Sequence, residues 1–157
     1  MRIYLGSDHA GFELKGRLVR HLRNLGHDPV DVGPHVYDAN DDYPPYVILA
    51  AIRVVGDPGS AGIVLGGSGN GEAIAANKVR GVRCALAFSD DTARLGREHN
   101  DANVLSLGAR MYDVATALRF AEIFLTTQFS GEQRHVRRIA QLSGYEASGE
   151  PPPLPSE

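Results

Sequence analysis

A chain of 157 residues can bury the core of one domain and is too short for two ordinary ones. Its net charge of −3 lacks the overall basic field of proteins that bind nucleic acid or anionic membranes. The single cysteine, Cys84, rules out an intramolecular disulfide, and no apolar run approaches the ~20 residues that span a bilayer. The amino-terminal residues also lack a signal-peptide core, so we expect a cytoplasmic protein with neither nucleic acid nor membrane as partner.

Short apolar runs alternate with longer segments of helical period along the chain. The first helix is the clearest, because four leucines between positions 14 and 25 recur at spacings of four and three, with Ser7 or Asp8 as the candidate cap. The predicted strands lie at 2–5, 27–32, 61–65, 83–88 and 104–107. The predicted helices lie at 10–25, 44–55, 73–78, 90–98, 114–126 and 131–145.

This alternation indicates an α/β fold, a three-layer α/β/α Rossmann-like domain with a five-stranded parallel sheet. We expect one domain over 1–148, including the last helix, followed by a flexible Pro-rich tail over 149–157 that has nothing to bury. Ligands of such sheets bind beyond the carboxyl ends of the strands. The unusual polar segments fall in that position and are expected to meet at one edge: they are 6–9, 66–72, 99–100 and 108–110.

The segment GGSGNGE at 66–72 is the strongest local signal. Its four glycines let the backbone turn tightly and bring successive N–H groups close to a ligand, and at a helix N-terminus such groups bind anions. It is not a Walker loop, because no Lys-Ser/Thr pair follows the last glycine. A tight strand-to-helix turn is the alternative, but four glycines weaken helix and strand propensity, so we favour a ligand. The anion is a phosphate or the negative oxygen of an enediolate.

Glu72 stands in the first turn of the helix that follows. On position alone, complementing the helix dipole explains it better than catalysis does. A catalytic base needs a pKa above the ordinary ~4.3 that still leaves it ionised at pH 7. Partial burial beside the glycines would raise the pKa and the helix N-terminus would lower it, so the balance between them stays open at this point. Asp8 alone is explained as a helix cap, and His99 and Asn100 as a helix C-terminus. If these residues meet at one edge with His9 and Glu72, a histidine there becomes a candidate general acid and Asn100 a candidate amide donor.

Arginines complete the candidate set. Arg134 and Arg138 are four residues apart and share one face of the last helix, and Arg110 follows the fifth strand. A solvated face is the usual explanation of such residues, but paired guanidinium groups also hold a phosphate monoester without a metal. No His, Cys and Asp cluster has metal-ligand spacing, and Cys84 is expected to be a buried small side chain without a catalytic role.

Several of these segments together resemble ribose-5-phosphate isomerase type B, of the ribose/galactose isomerase family. The resemblance runs from residue 1 to about 145, and its anchors occur in the family's order: LGSDHAGFELK, DYPPY, GGSGNGEAIAANK, REHNDANVLSLGAR and QRHVRRI. It implies the interconversion of D-ribose 5-phosphate and D-ribulose 5-phosphate in the pentose phosphate pathway, without a cofactor or a metal. It also implies a homodimer or a dimer of dimers whose sites are shared between chains.

The resemblance also implies a role for each candidate residue. Asp8 and His99 would open the furanose ring, and Glu72 would carry a proton between C2 and C1 through a cis-enediolate. The loop residues Gly67, Ser68, Gly69, Asn70 and Gly71 would stabilise the negative oxygen. Tyr43 would pack against the sugar and Asn100 would bind its hydroxyls, while the phosphate would be held by His9, Arg110, Arg134 and Arg138. Another branch of the family has a catalytic cysteine where this chain has Gly66, and the presence of Glu72 places the chain in the carboxylate branch.

Two other functions compete with this one. A sibling isomerase acting on a hexose phosphate would use the same loop, base and arginines, and the depth of the pocket would decide between them. A nucleotide-binding module is the rival from another class, since Asp31 ends the second strand where dinucleotide folds carry an acid that binds ribose. The spacing of the glycines in 6–11 does not fit that fingerprint, and such a module has no need of Glu72 with His99.

Overall fold

Five parallel strands alternate with six helices in the computed structural model, which describes residues 1–154. The strands are β1 (Arg2–Ser7), β2 (Asp28–Asp31), β3 (Ala61–Gly66), β4 (Cys84–Ala87) and β5 (Val104–Gly108). The helices are α1 (Phe12–Asn24), α2 (Tyr43–Val55), α3 (Asn70–Ala76), α4 (Asp90–Asn100), α5 (Val114–Thr126) and α6 (Gln133–Ser148). The strand order is β2-β1-β3-β5-β4, and every pair is parallel, so the predicted fold class is confirmed.

The sheet has a separate apolar core on each face, because alternate strand residues point to opposite sides. Leu5 and Ile63 belong to the core under α1, α4 and α5, whereas Tyr4 and Val64 belong to the core under α2 and α3. The first three leucines of the predicted α1 stripe are buried, whereas Leu25 lies just past the end of the helix and is exposed. These two cores make the three-layer arrangement and fix the sheet between them.

Several predicted boundaries differ from the structure for local reasons. Helix α1 begins later than predicted, and its N-cap is Gly11 rather than Ser7 or Asp8. Asp8 instead accepts hydrogen bonds at Oδ1 from the N–H groups of Ala10 (2.9 Å) and Gly11 (3.2 Å), and so organises the turn before the helix. Helix α3 begins three residues earlier than predicted, because the preceding Gly69 adopts φ +82° and lets the helix start at once.

The register of the central strands brings three loops together. Ser7 at the end of β1 lies beside Leu65, and Gly66 at the end of β3 lies beside Gly108 at the end of β5. The segments that follow these strands therefore leave the same edge of the sheet, close to the point where the strand order reverses between β1 and β3. This is the edge at which the sequence predicts a site.

Helix α6 lies outside the three layers and packs against α4, with His135 as its one fully buried residue. It ends at Ser148, where Gly149 in a left-handed conformation begins the predicted tail. Residues 151–154 of that tail are exposed, and 155–157 lie outside the described residues, so its flexibility and the domain boundary stay predictions. Within residues 1–154, no helix combines the length and the apolar character needed to cross a membrane.

Candidate active site

A cleft of about 460 Å³ opens where β1, β3 and β5 end, and we call it the carboxyl-edge cleft. Its lining consists of Asp8, Tyr43, Gly67, Ser68, Gly71, Glu72, Arg110 and Met111. All of these except Met111 are residues that the sequence predicts for the site. The convergence of parallel strands at one edge is therefore sufficient to gather most of the candidate set.

Glu72 is the buried acid of this cleft, with 3% of its surface exposed. Burial raises the pKa of its carboxyl above the ordinary value, and the nearby Asp8 raises it further. Hydrogen bonds from the backbone N–H groups of Glu72 itself and of Gly69 act in the opposite direction and are weaker than burial. Desolvation therefore outweighs the helix N-terminus, and Glu72 has the environment of a proton acceptor.

Gly66 provides the space that the Glu72 carboxylate occupies. A Cβ atom at position 66 would lie 1.8 Å from Glu72 Oε1 and 2.2 Å from its Cδ, far inside any possible contact. Any residue larger than glycine at this position therefore excludes the present placement of Glu72. The last residue of β3 and the first turn of α3 are matched to each other in this chain.

Gly66→Ala is expected to displace Glu72 and to lower kcat by about a hundredfold or more, because the base loses its position. Gly62→Ala is the matched control, since it adds a methyl group to the same strand against the side chains of Val54 and Val104. Both substitutions are expected to cost about 1–3 kcal/mol of unfolding free energy by overpacking. Turnover and denaturant unfolding of the two variants separate the effects, and equal kcat values in both would contradict a positional role for Gly66.

The glycine loop turns on Gly69, whose φ of +82° only glycine adopts without strain. The buried Ser106 donates a hydrogen bond from its hydroxyl to the Gly69 carbonyl at 2.7 Å and fixes the turn from below. Ser68 and Asn70 are exposed, and the Ser68 hydroxyl accepts from the Asn70 N–H at 3.3 Å. The loop thus places Gly67, the Ser68 hydroxyl and Gly71 in the lining of the cleft beside Glu72.

Tyr43 and Arg110 close the cleft on two sides. Tyr43 is the first residue of α2, and a Cβ atom at Gly71 would lie 2.7 Å from its hydroxyl, so the glycine allows close contact with the ring. Arg110 is exposed, and its N–H donates to the Gly67 carbonyl at 3.0 Å, which joins the end of β5 to the glycine loop. Both residues therefore form part of the lining of the cleft.

His9 is held by an acid that the sequence did not single out. The Oδ1 atom of Asp41 accepts from the His9 backbone N–H at 2.8 Å and lies 2.9 Å from His9 Nδ1. This hydrogen bond is the main reason that the pKa of His9 is raised, and Asp8 adds to it. Asp41 stands in an acidic loop 32 positions away, where its composition alone indicates solvated charge.

His99 and Asn100 do not share this edge within one chain, and that prediction is wrong. Helix α4 follows β4 and runs back along the sheet for eleven residues, about 16 Å, before it reaches them. The Asn100 carbonyl accepts from the Arg83 side chain at 2.8 Å, just before β4 begins, which places it at the opposite edge. The left-handed residue that ends α4 is Asp101, with φ +43°, and not Asn100.

His99 belongs instead to a second group of candidate residues, which we call the α4–α6 cluster. Its ring stacks on the buried His135, with centroids 4.2 Å apart and an interplanar angle of 16°. Arg134 donates from Nε to His135 Nε2 at 3.2 Å. The cluster comprises His99, Asn100, Arg134, His135 and Arg138. The predicted site residues therefore divide into two groups on one chain, and His135 joins the second without having been predicted.

Two other side chains have structural explanations. Burial raises the pKa of the Cys84 thiol to about 12, which leaves it protonated and unreactive at neutral pH. Asp31 accepts from the buried Lys15 ammonium at 2.6 Å and from the Gly33 N–H at 2.9 Å, so it is engaged inside the protein rather than free for a ribose. Over residues 1–154, no group of three or more His, Cys, Asp or Glu is placed to hold a metal ion.

Comparison with known proteins identifies the relatives of the chain. The family model described as Ribose/Galactose Isomerase matches residues 3–142. The chain is 59% identical over 155 residues to "Ribose-5-phosphate isomerase B" of Mycobacterium tuberculosis (strain CDC 1551 / Oshkosh), covering 99% of this chain and 96% of the relative. The family, the length and the order of the motifs therefore agree with the resemblance noted in the sequence.

Solved structures give the same result. Ribose-5-phosphate isomerase B of Mycoplasma genitalium, with bound ribulose-5-phosphate, superposes with a TM-score of 0.90 at 40% identity, over 94% of this chain and 97% of that one. Ribose-5-phosphate isomerase B of Clostridium thermocellum gives a TM-score of 0.91 at 37% identity, over 96% of this chain and 100% of that one. The fold and nearly the whole length of the chain are therefore shared with these proteins.

Proposed function

The chain belongs to the ribose/galactose isomerase family, and we propose that it interconverts D-ribose 5-phosphate and D-ribulose 5-phosphate. The observation that carries this proposal is Glu72, a buried carboxylate of raised pKa that lies beside a loop of backbone N–H groups. Moving a proton between two adjacent carbons needs a base of this kind and a stabilised negative oxygen. The relatives carry the name of this isomerase, and one of them holds ribulose-5-phosphate.

The first chemical step is ring opening, because the base acts on the open-chain sugar. The carboxylate of Asp8, which lines the cleft, accepts the proton of the anomeric hydroxyl, while His99 donates a proton to the ring oxygen. The C1–O bond to the ring then breaks and leaves an aldehyde at C1 and a hydroxyl at C4. Asn100 binds the sugar hydroxyls, and Tyr43 packs against the carbon chain.

Glu72 then removes the proton from C2. The electrons of that C–H bond form a C1–C2 double bond, and the C1 oxygen becomes the negative oxygen of a cis-enediolate. The N–H groups of Gly67, Ser68 and Gly71, which line the cleft, stabilise that charge together with the Ser68 hydroxyl. A proton moves from the C2 hydroxyl to the C1 oxygen, Glu72 returns its proton to C1, and the carbonyl forms at C2. The reaction is balanced without a cofactor or a metal.

We further propose that the complete site is shared between two copies of the chain. The carboxyl-edge cleft holds the base and the oxyanion loop, whereas the acid and two phosphate arginines lie in the α4–α6 cluster at the opposite edge. A two-fold dimer would bring the cluster of one copy to the cleft of the other, twice over. This arrangement accounts for the separation of two groups that one reaction needs.

A cytoplasmic location is part of the same proposal. A sugar phosphate carries nearly two negative charges at pH 7 and crosses a bilayer poorly, so an enzyme that uses it works where it is formed.

Turnover of the purified protein on phosphorylated sugars tests the proposed function. We expect kcat/KM for ribose 5-phosphate to exceed that for allose 6-phosphate or galactose 6-phosphate by about tenfold or more, because one extra carbon must fit a cleft closed by Tyr43. The product is identified as ribulose 5-phosphate by NMR, and exchange of the C2 hydrogen with solvent reports proton transfer. Faster turnover of a hexose phosphate would replace the pentose assignment.

A further inference from the structure

The contact between Asp41 and His9 is more specific than a surface ion pair. The side chain of Asp41 is 7% exposed, and its Oδ1 atom accepts from two groups of the same residue, the backbone N–H and the ring Nδ1. Its other oxygen, Oδ2, is buried and has no hydrogen-bond partner among residues 1–154. Within residues 1–154, His9 therefore provides all the hydrogen bonds of the Asp41 carboxylate.

The loop that carries Asp41 is itself fixed in place. The ammonium of Lys15, which is buried to 1% exposure, donates to the Pro34 carbonyl at 2.7 Å and to Asp31 at 2.6 Å. At the far end of the loop, the Asp41 N–H donates to the Asp38 carbonyl at 3.2 Å, two residues before α2 begins. Asp41 is therefore presented to His9 from a held segment and not from a free loop.

We propose that Asp41 is a positioning residue that holds the His9 imidazole as a cation, with Nε2 left to donate to the phosphate of the substrate. This inference rests on the proposed function, which makes His9 a phosphate contact. Because Nδ1 is engaged by Asp41, Nε2 is the ring nitrogen that remains for a ligand. The charged groups that act on His9 are Asp41 from the loop before α2 and Asp8 from its own segment, both acidic.

The need for such a residue follows from two ordinary titrations. A phosphate monoester takes its second negative charge near pH ~6, whereas an unperturbed histidine loses its positive charge near ~6.5. Without help, the dianion and the imidazolium would therefore coexist only over a narrow range of pH. Asp41 raises the pKa of His9 and so widens the range of pH over which the imidazolium and the phosphate dianion coexist. Arginines brought by a second copy would work against that cation, and the Asp41 carboxylate opposes them.

Asp41→Asn and its matched control Asp38→Asn test the inference. Asp38 lies on the same loop, is exposed, and bonds only to the nearby Asn40 N–H through its side chain, so it loses the same charge without touching His9. The Asp41 variant is expected to raise KM for ribose 5-phosphate, and to raise it more at pH 8 than at pH 6, since loss of the carboxylate lets the pKa of His9 fall towards ~6.5. Its kcat is expected to stay within about twofold of wild type, and the Asp38 variant is expected to match wild type.

NMR titration of the His9 ring nitrogens gives the direct readout. In the wild type the midpoint must lie above the ordinary value of ~6.5, and in the Asp41 variant it must fall towards it. Equal midpoints in the two proteins, or a KM change that is the same at pH 6 and pH 8, overturn the inference. A wild-type midpoint at or below ~6.5 overturns it even where the variant does not fold.

The same titration separates this inference from the proposed function. Inorganic phosphate is added to the wild type and to both variants, and its effect on the His9 signals is followed from pH 6 to pH 8. If the protein binds phosphate through a cationic His9 but does not turn over ribose 5-phosphate, the proposed function fails and the role of Asp41 stands. If turnover is normal and the His9 midpoint is unshifted, the proposed function stands and the role of Asp41 fails.

Discussion

Glu72→Gln is expected to lower kcat for ribose 5-phosphate by about a hundred- to ten-thousandfold, the range that a positioned general base supplies. Glutamine has nearly the same shape and cannot accept the C2 proton, so KM is expected to change little. Exchange of the C2 hydrogen with solvent should stop together with turnover. Glu13→Gln, the same substitution at an exposed position in the first turn of α1, is the control for the chemical change.

The pH dependence of the wild type should carry the signature of the same residue. Since burial raises the pKa of Glu72, kcat is expected to fall as the pH decreases at values above the ~4.3 of an ordinary glutamate. The stability effect has the opposite sign to that of a paired carboxylate. A carboxyl whose pKa is higher in the folded than in the unfolded state opposes folding when it is ionised, so Glu72→Gln should raise the unfolding free energy at pH 8.

Two outcomes would contradict the assignment of the base. Substantial turnover by Glu72→Gln would show that another group moves the proton. A loss of activity accompanied by a lower unfolding free energy would point to a structural role for the carboxylate. Denaturant unfolding at pH 8 and at pH 5 distinguishes these cases, because the advantage of glutamine should shrink as the pH falls through the pKa of Glu72.

Mixed dimers of two inactive variants are expected to recover activity. Glu72→Gln removes the base from the carboxyl-edge cleft, and His99→Asn removes the acid from the α4–α6 cluster, so each homodimer should lose at least about 99% of turnover. In a dimer with one chain of each kind, one site combines both defects and the other combines two intact partners. Co-expression with two affinity tags isolates this species, and its activity should be about half that of wild type, since one of its two sites is intact.

Sites formed within single chains would leave the mixed dimer inactive. If each chain formed its own site, every site of the mixed dimer would keep one defect, and the mixture would be as inactive as its parents. The doubly substituted chain paired with wild type is the control, because a shared arrangement then leaves both sites with one defect. Recovery in the first mixture without recovery in the second is the pattern that only shared sites produce.

The sequence predicted the fold and most of the carboxyl-edge cleft for one physical reason. Strands of a parallel sheet end at the same edge, so polar segments after β1, β3 and β5 must meet there once the strands are located. The positions of Asp8, Glu72 and Arg110 at this edge follow from the strand assignments alone. The net direction of the pKa shift of Glu72 was left open, because the balance between desolvation and the helix N-terminus depends on packing that no local pattern contains.

The residues that sequence reasoning misplaced or missed are defined by contacts between segments that lie far apart along the chain. His99 comes at the end of the helix that follows β4, and a helix of eleven residues returns the chain to the other edge, a displacement that the length of the predicted helix already implies. Asp41 is indistinguishable from its acidic neighbours until the loop closes on His9, 32 positions away. His135 lies among arginines that indicate a solvated face, and only the packing of α6 on α4 buries it.

The matched pair formed by Gly66 and Glu72 restricts which substitutions this chain can accept at either position. Because a Cβ atom at 66 and the carboxylate of Glu72 would compete for one volume, a side chain at the first position cannot be added while the second is kept as it stands. The two positions are therefore expected to be strongly epistatic: a larger residue at 66 should be tolerated far better once the side chain at 72 has been shortened.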